Sequence, residues 1–259
     1  MGSIPSPPEP VLERGASAAV PIAFAVLTVL AQIAYPLSHG DARTTATILA
    51  VVLFFSASVS HAWVWRGPRA AAVLVAVTAG LGLAAEAVGV HTGFPFGRYE
   101  YRGTLGASVL SVPLVVVMAW TMMGYPALLV ARRVARRPAA VAGFGALALV
   151  AWDLFLDPQM VDAGHWVWQP SAWPRVVDIP LSNFVGWFGV ALVMMVLLDA
   201  VMPAGRGADD RVPYALFVWT YLSEMMGHAV FFGRPGVALV GGVAMGAVTL
   251  AFLRAVATQ

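Results

Sequence analysis

The residues with the most chemical potential are four acids embedded in apolar sequence: Glu86, Asp153, Asp157 and Glu224. An ionisable side chain inside a membrane span is costly and defaults to a functional hypothesis. Asp153 and Asp157 are four apart, which puts both carboxyls on one helix face. Two close carboxylates in a low dielectric do not both ionise easily, so one is expected to keep its proton at neutral pH. Such a pair is a strong acid in an apolar pocket. Glu224 and His228 have the same spacing and form a pair able to position or relay a proton. The plain alternative for each acid is a polar contact that holds helices together. Four acids expected at one membrane level weigh against it.

His91, His165 and His228 stand near these acids in the sequence, but their spacing fits no compact ligand motif, so no metal site is expected. Gly80, Gly82, Gly143 and Gly145 read as small residues for close helix packing. Neither a Gly-rich phosphate loop nor a nucleophile elbow is present. Cysteine is absent, which removes disulfides, thiolate metal sites and cysteine nucleophiles. All 15 basic residues are arginine, so a retinal-type Schiff base or a lysine-bound pyridoxal cofactor is excluded. No cofactor is expected. The arginines are scattered among turns and make no basic face, so nucleic acid is not an expected partner.

Hydrophobic residues make up 60% of the 259 positions and charged residues 11%, against roughly 25% charged in soluble domains. Mean hydropathy is +0.81. These values predict an all-α, polytopic transmembrane helical bundle immersed in the lipid bilayer. Apolar runs predict about eight spans, near Ala18 to Leu37, Thr45 to Trp65, Ala70 to Val90, Ser108 to Val130, Ala139 to Leu156, Ile179 to Met202, Val212 to Phe232 and Gly236 to Val256. Tyr35-Pro36, Gly67-Pro68, Pro138, Pro158 and Arg234-Pro235-Gly236 read as breakers between them. Residues 1–17, rich in Pro and Ser, read as a disordered cytoplasmic tail before a single transmembrane domain at 18–259. With both termini cytoplasmic, 10 of the 15 arginines fall on the inner side, the orientation that positive residues favour. No internal repeat is apparent.

The two longest turns, Val90 to Ala107 and Asp157 to Asp178, then share the outer side and gather Phe94, Phe96, Tyr99, Tyr101, Trp166, Trp168 and Trp173. An interfacial aromatic belt accounts for such rings. It does not account for the histidines and acids among them.

Several blocks resemble the membrane carotenoid biosynthesis proteins of the carotenoid hydratase type: EAVGVHTGFPFGRYEY from Glu86 to Tyr101, Val112-Pro113 with Trp120 after it, DLFLDP from Asp153 to Pro158, WVW at Trp166 to Trp168, and IPLSNFVGW from Ile179 to Trp187. The resemblance covers roughly the third to sixth spans. It implies a multi-pass plasma-membrane hydro-lyase that adds water to the terminal double bond of an acyclic (ψ) carotenoid end, on a C40 or C50 polyene, beside other membrane enzymes of the pathway. That chemistry needs a carboxylic acid, a cation-stabilising wall and a captured water, and no redox cofactor. Asp153 and Asp157 are then the expected proton donor and its partner, with Glu86 the base for the water. Asn183 is the expected positioner, and His91, Phe94, Phe96, Tyr99, Tyr101, Trp166, Trp168 and Trp187 are expected to line the substrate. Glu224 and His228 follow as candidates for proton exchange. Two alternatives remain: a carotenoid end-group cyclase that uses the same acid, and a non-enzymatic membrane protein that binds carotenoid or lipid or transports a substrate. The lack of an apparent repeat counts against transport.

Overall fold

A computed structural model describes residues 11–258 apart from Arg206, with side chains described from residue 18 onward. Among the described residues eight helices run in chain order: α1 Val11–Leu37, α2 Gly40–Arg66, α3 Pro68–Thr92, α4 Leu114–Val134, α5 Pro138–Asp162, α6 Leu181–Val201, α7 Arg211–Met226 and α8 Pro235–Ala257. Seven are long and apolar enough to cross a membrane. The exception is α7, whose 16 residues are extended by a π-helical turn at Gly227–Phe231. The Gly-rich last run forms the well-defined span α8. The chain is a polytopic α-helical membrane protein, as its composition predicts. Residues 1–10 of the expected tail lie outside the described residues, and residues 11–17 belong to the first turns of α1.

Proline acts in two ways. Pro68, Pro138 and Pro235 open α3, α5 and α8, where a missing N–H costs nothing because first-turn donors are unpaired anyway. Pro36 and Pro158 read as breakers, yet lie inside α1 and α5. A proline inside a helix leaves the carbonyl four residues before it without its N–H donor, a loss that a bundle tolerates; Arg234 Nη1 also donates to Pro158 O itself at 2.7 Å. Helix α5 therefore runs past the expected end at Leu156, and Asp157 is a helical residue.

The two long connections are built from short strands. β1 (Tyr99–Tyr101) pairs antiparallel with β4 (Trp166–Trp168), tying the α3–α4 connection to the α5–α6 connection. Two tight hairpins, β2 (Ser108–Val109) with β3 (Val112–Pro113) and β5 (Arg175–Val176) with β6 (Ile179–Pro180), lead directly into α4 and α6. Their turn residues Leu110, Ser111, Val177 and Asp178 all have positive φ, the backbone of a two-residue hairpin loop.

These matches overturn the absence of an internal repeat. The unit α3-β1-β2-β3-α4 recurs as α5-β4-β5-β6-α6. From the first strand onward its parts recur 67 residues later, and both α3 and α5 have 25 residues. Matched positions also meet one another. Tyr99 pairs with Trp168 and Tyr101 with Trp166 around the matched Glu100 and Val167. Trp120 stacks on its counterpart Trp187 with ring centroids 4.0 Å apart. Arg132 donates from Nε to its counterpart Asp199 at 2.7 Å. Contacts between equivalent positions are the mark of a two-fold relation, here internal to one chain. Few identities carry it: Gly97/Gly164, Val109/Val176, Pro113/Pro180, Leu114/Leu181, Trp120/Trp187 and Val134/Val201. Apolar helix positions accept almost any aliphatic residue, so the duplication is faint in sequence.

Candidate active site

The strands deliver aromatic N–H and O–H donors to acids on the preceding helices. Near the end of α3, Glu86 is 4% exposed. Its Oε2 accepts from Tyr99 Oη at 2.5 Å and Tyr101 Oη at 2.8 Å, and its Oε1 from Trp120 Nε1 at 3.3 Å. Near the end of α5, Asp157 Oδ1 accepts from Trp166 Nε1 at 2.7 Å and Trp168 Nε1 at 3.0 Å. Alternation along a strand explains the pattern, because residues i and i+2 share a face. In YEY and WVW the two rings point at the acid, and the middle residue points away.

Asn183, in the first turn of α6, uses both amide protons. It donates to Asp157 Oδ2 at 2.8 Å and to Asp153 Oδ2 at 2.7 Å. The spacing of four thus places the two aspartates together, as expected. Asp153 is 1% exposed, and among the described residues its Oδ1 has no hydrogen-bond donor. Burial pushes the Tyr99 and Tyr101 phenols above their ordinary pKa, and the nearby Glu86 adds to the rise. They therefore remain O–H donors across the physiological range.

One cavity is lined by Glu86, Asp153, Asp157, Phe96, Tyr99, Tyr101, Trp120, Trp166, Trp168, Asn183 and Trp187. Most of its remaining wall is aliphatic, from Val51, Leu105, Val115, Leu156 and Met160. The structure thus brings together ten of the residues singled out from sequence and adds Trp120 as the third donor to Glu86. Trp120 shares a 67-residue spacing with Trp187, and that repeat is the signal that could have found it. Gly82 makes its position possible, since a Cβ there would lie 2.5 Å from Trp120 Cδ1.

Four expected residues lie elsewhere. His91 is exposed and bonds through Nδ1 to Ala87 O, and Phe94 is 74% exposed. Glu224 lines a neighbouring cavity, with His228 Nε2 3.7 Å from its carboxylate and the His228 ring stacked on Phe155. The three histidines have separate partners; His165 Nδ1 is 2.7 Å from Thr104 Oγ1. At the opposite end of the bundle a second polar cluster had no place in the sequence reading. Arg66, with its side chain fully buried, contacts Asp210 at 2.8 Å and donates to Tyr125 Oη at 2.7 Å. His61 Nδ1 is 2.9 Å from the same hydroxyl.

Buried carboxyls enclosed by aromatic donors within a helical bundle define a membrane protein with a carboxyl-bearing, mostly apolar cavity. Residues 42–250 match the family described as carotenoid biosynthesis protein, and the chain belongs to that family. Over 136 residues it is 34% identical to the bisanhydrobacterioruberin hydratase of Haloarcula japonica. The match covers 51% of this chain and 45% of the relative, so it spans less than half of that protein's length. No solved structure matches.

Proposed function

We propose that the protein is a carotenoid hydratase that adds water to the terminal double bond of an acyclic ψ end. The observation that carries this reading is the single aromatic-walled cavity on which Glu86, Asp153 and Asp157 converge. The name of the Haloarcula relative points the same way.

The donors divide the roles. Asp157 accepts three hydrogen bonds, an environment suited to a carboxylate. Asp153 keeps one oxygen free of donors and is the better seat for the shared proton. Asp153 gives that proton to the less substituted alkene carbon, where a C–H bond forms as the π bond breaks. A tertiary cation remains, faced by Trp166, Trp168, Trp187 and Tyr99 rings whose π faces attract positive charge. Water then forms the C–O bond and releases a proton to Glu86, and return of that proton to Asp153 closes the cycle. The net change is addition of one water, with no electrons transferred. The polyene lies between helices in the bilayer, its end in the cavity, and the reaction uses no cofactor.

We place the enzyme in the plasma membrane with the arginine-rich end in the cytoplasm, on a C40 or C50 polyene and beside other membrane enzymes of the pathway. A reporter that is active only outside the cytoplasm, fused after the C-terminus, should stay silent; strong activity reverses the orientation. Expression in a host that makes lycopene tests the reaction. A product heavier by one water supports hydration, whereas a product of unchanged mass supports cyclisation. A second reading, transport, gains from the internal duplication, because parallel repeats build many transporters. Uptake into vesicles without a new product would favour it.

A further inference from the structure

We infer that the cavity beside Glu224 is a water chamber that supplies the nucleophile to the carboxylate cavity. The inference rests on the hydratase reading. The chamber lies between α1, α2, α5 and α7, outside the duplicated unit except for α5 and Met122 of α4. Its polar groups include Gln32, Tyr35, Gln159, Ser223 and Glu224. Two of them carry unmet capacity. Gln159 Oε1 is buried without a hydrogen-bond partner, and among the described residues the Glu224 carboxylate has no hydrogen-bond donor. Buried polar groups of this kind are ordinarily satisfied by water when the space admits it.

The chamber shares a wall with the carboxylate cavity. Thr47 and Val51 of α2 and Leu156 and Met160 of α5 line both. In this partition Thr47 Oγ1, which donates to Arg43 O at 3.0 Å, still has lone pairs to offer a passing water. Hydration consumes one water per turnover in a pocket walled mostly by rings and aliphatics. The tryptophan N–H donors already point at carboxylates and, having no lone pair to offer, cannot accept from water. A polar chamber one side chain away supplies that water without passing it along the polyene.

The test separates protonation from water capture. Membranes equilibrated in deuterium oxide are given an acyclic carotenoid, and two quantities are read: hydrated product, and carbon-bound deuterium in the recovered or isomerised alkene. Deuterium enters whenever the cation forms and loses a proton again. The parent should hydrate. Val51→Phe, which fills the partition, should raise the ratio of deuterated alkene to hydrated product at least about tenfold. Gln159→Leu combined with Glu224→Leu, which dries the chamber without plugging it, should move the ratio in the same direction. An unchanged ratio in both the plugged and the dried proteins overturns the inference, as does loss of both signals together at matched abundance. A parent that neither hydrates nor deuterates the polyene refutes the hydratase reading itself.

Discussion

The two halves of the duplicated unit share a scaffold and differ in chemistry. In each, a long helix presents an acid near its end, a three-residue strand supplies two aromatic donors, and the next helix supplies one more. The position four residues before the acid separates them: Gly82 in the first half, Asp153 in the second. Glycine lets Trp120 reach Glu86, which leaves a single carboxylate in a full collar of donors. Aspartate in the other half creates a pair bridged by Asn183, and two close carboxyls favour sharing a proton. In the proposed reaction this difference assigns the acid to one half and the base to the other.

That contrast is broken most severely on the side of the pair. Asp153→Asn and Asp157→Asn should each reduce hydration by roughly 10² to 10⁴ fold, the usual range for a general acid, while insertion in the membrane and carotenoid binding persist. An amide keeps the shape and can still hydrogen-bond, so turnover within a few fold of the parent at matched abundance would reduce the pair to a packing contact.

Glu86→Gln should act on the later step, with hydration down by about 10² fold and protonation retained. Deuterium from labelled solvent should still appear in the recovered alkene. Equal loss of deuteration and hydration would make the two halves one functional unit instead.

Gly82→Ala tests the structural origin of the difference. The added methyl falls within 2.5 Å of the Trp120 ring, so the ring must shift away from Glu86 and from its stack on Trp187. Stability should fall by about 1–3 kcal/mol, the typical penalty for overpacking, read as a lower melting temperature in detergent. An unaltered melting temperature would mean that Trp120 moves freely. The smallest effect belongs to Tyr101→Phe, which removes one of three donors to Glu86 and should slow hydration only a few fold, about 1 kcal/mol. A loss near that of Glu86→Gln would give Tyr101 a direct part in the chemistry.

Spacing made much of this site legible. Asp153 and Asp157 at i and i+4, and the alternating rings of YEY and WVW, encode their own convergence once helix and strand periods are applied. Residues brought together by the duplication were harder to see. Trp120 meets Glu86 only because α4 folds back beside α3, and Trp187 meets Trp120 only because two halves related by a two-fold face each other. Glu224 was expected at the level of the other acids, and it lines a different cavity because α7 packs outside the repeated unit. His91 and Phe94 are close in sequence to Phe96 and Tyr99, but only the latter two are buried. Sequence proximity could not sort them, since burial there is decided by contact with α6, where Ser182 Oγ donates to Phe96 O at 2.8 Å.

The most direct test of the account is the origin of the atoms added to the polyene. Purified protein in detergent or lipid, given an acyclic carotenoid in deuterium oxide enriched in oxygen-18, should yield an alcohol with one oxygen-18 on the tertiary carbon and one deuterium on the adjacent carbon. Asp153→Asn should form it far more slowly. A product that carries deuterium without the heavy oxygen, or an unmodified carotenoid moved across the membrane, would contradict hydration by this cavity.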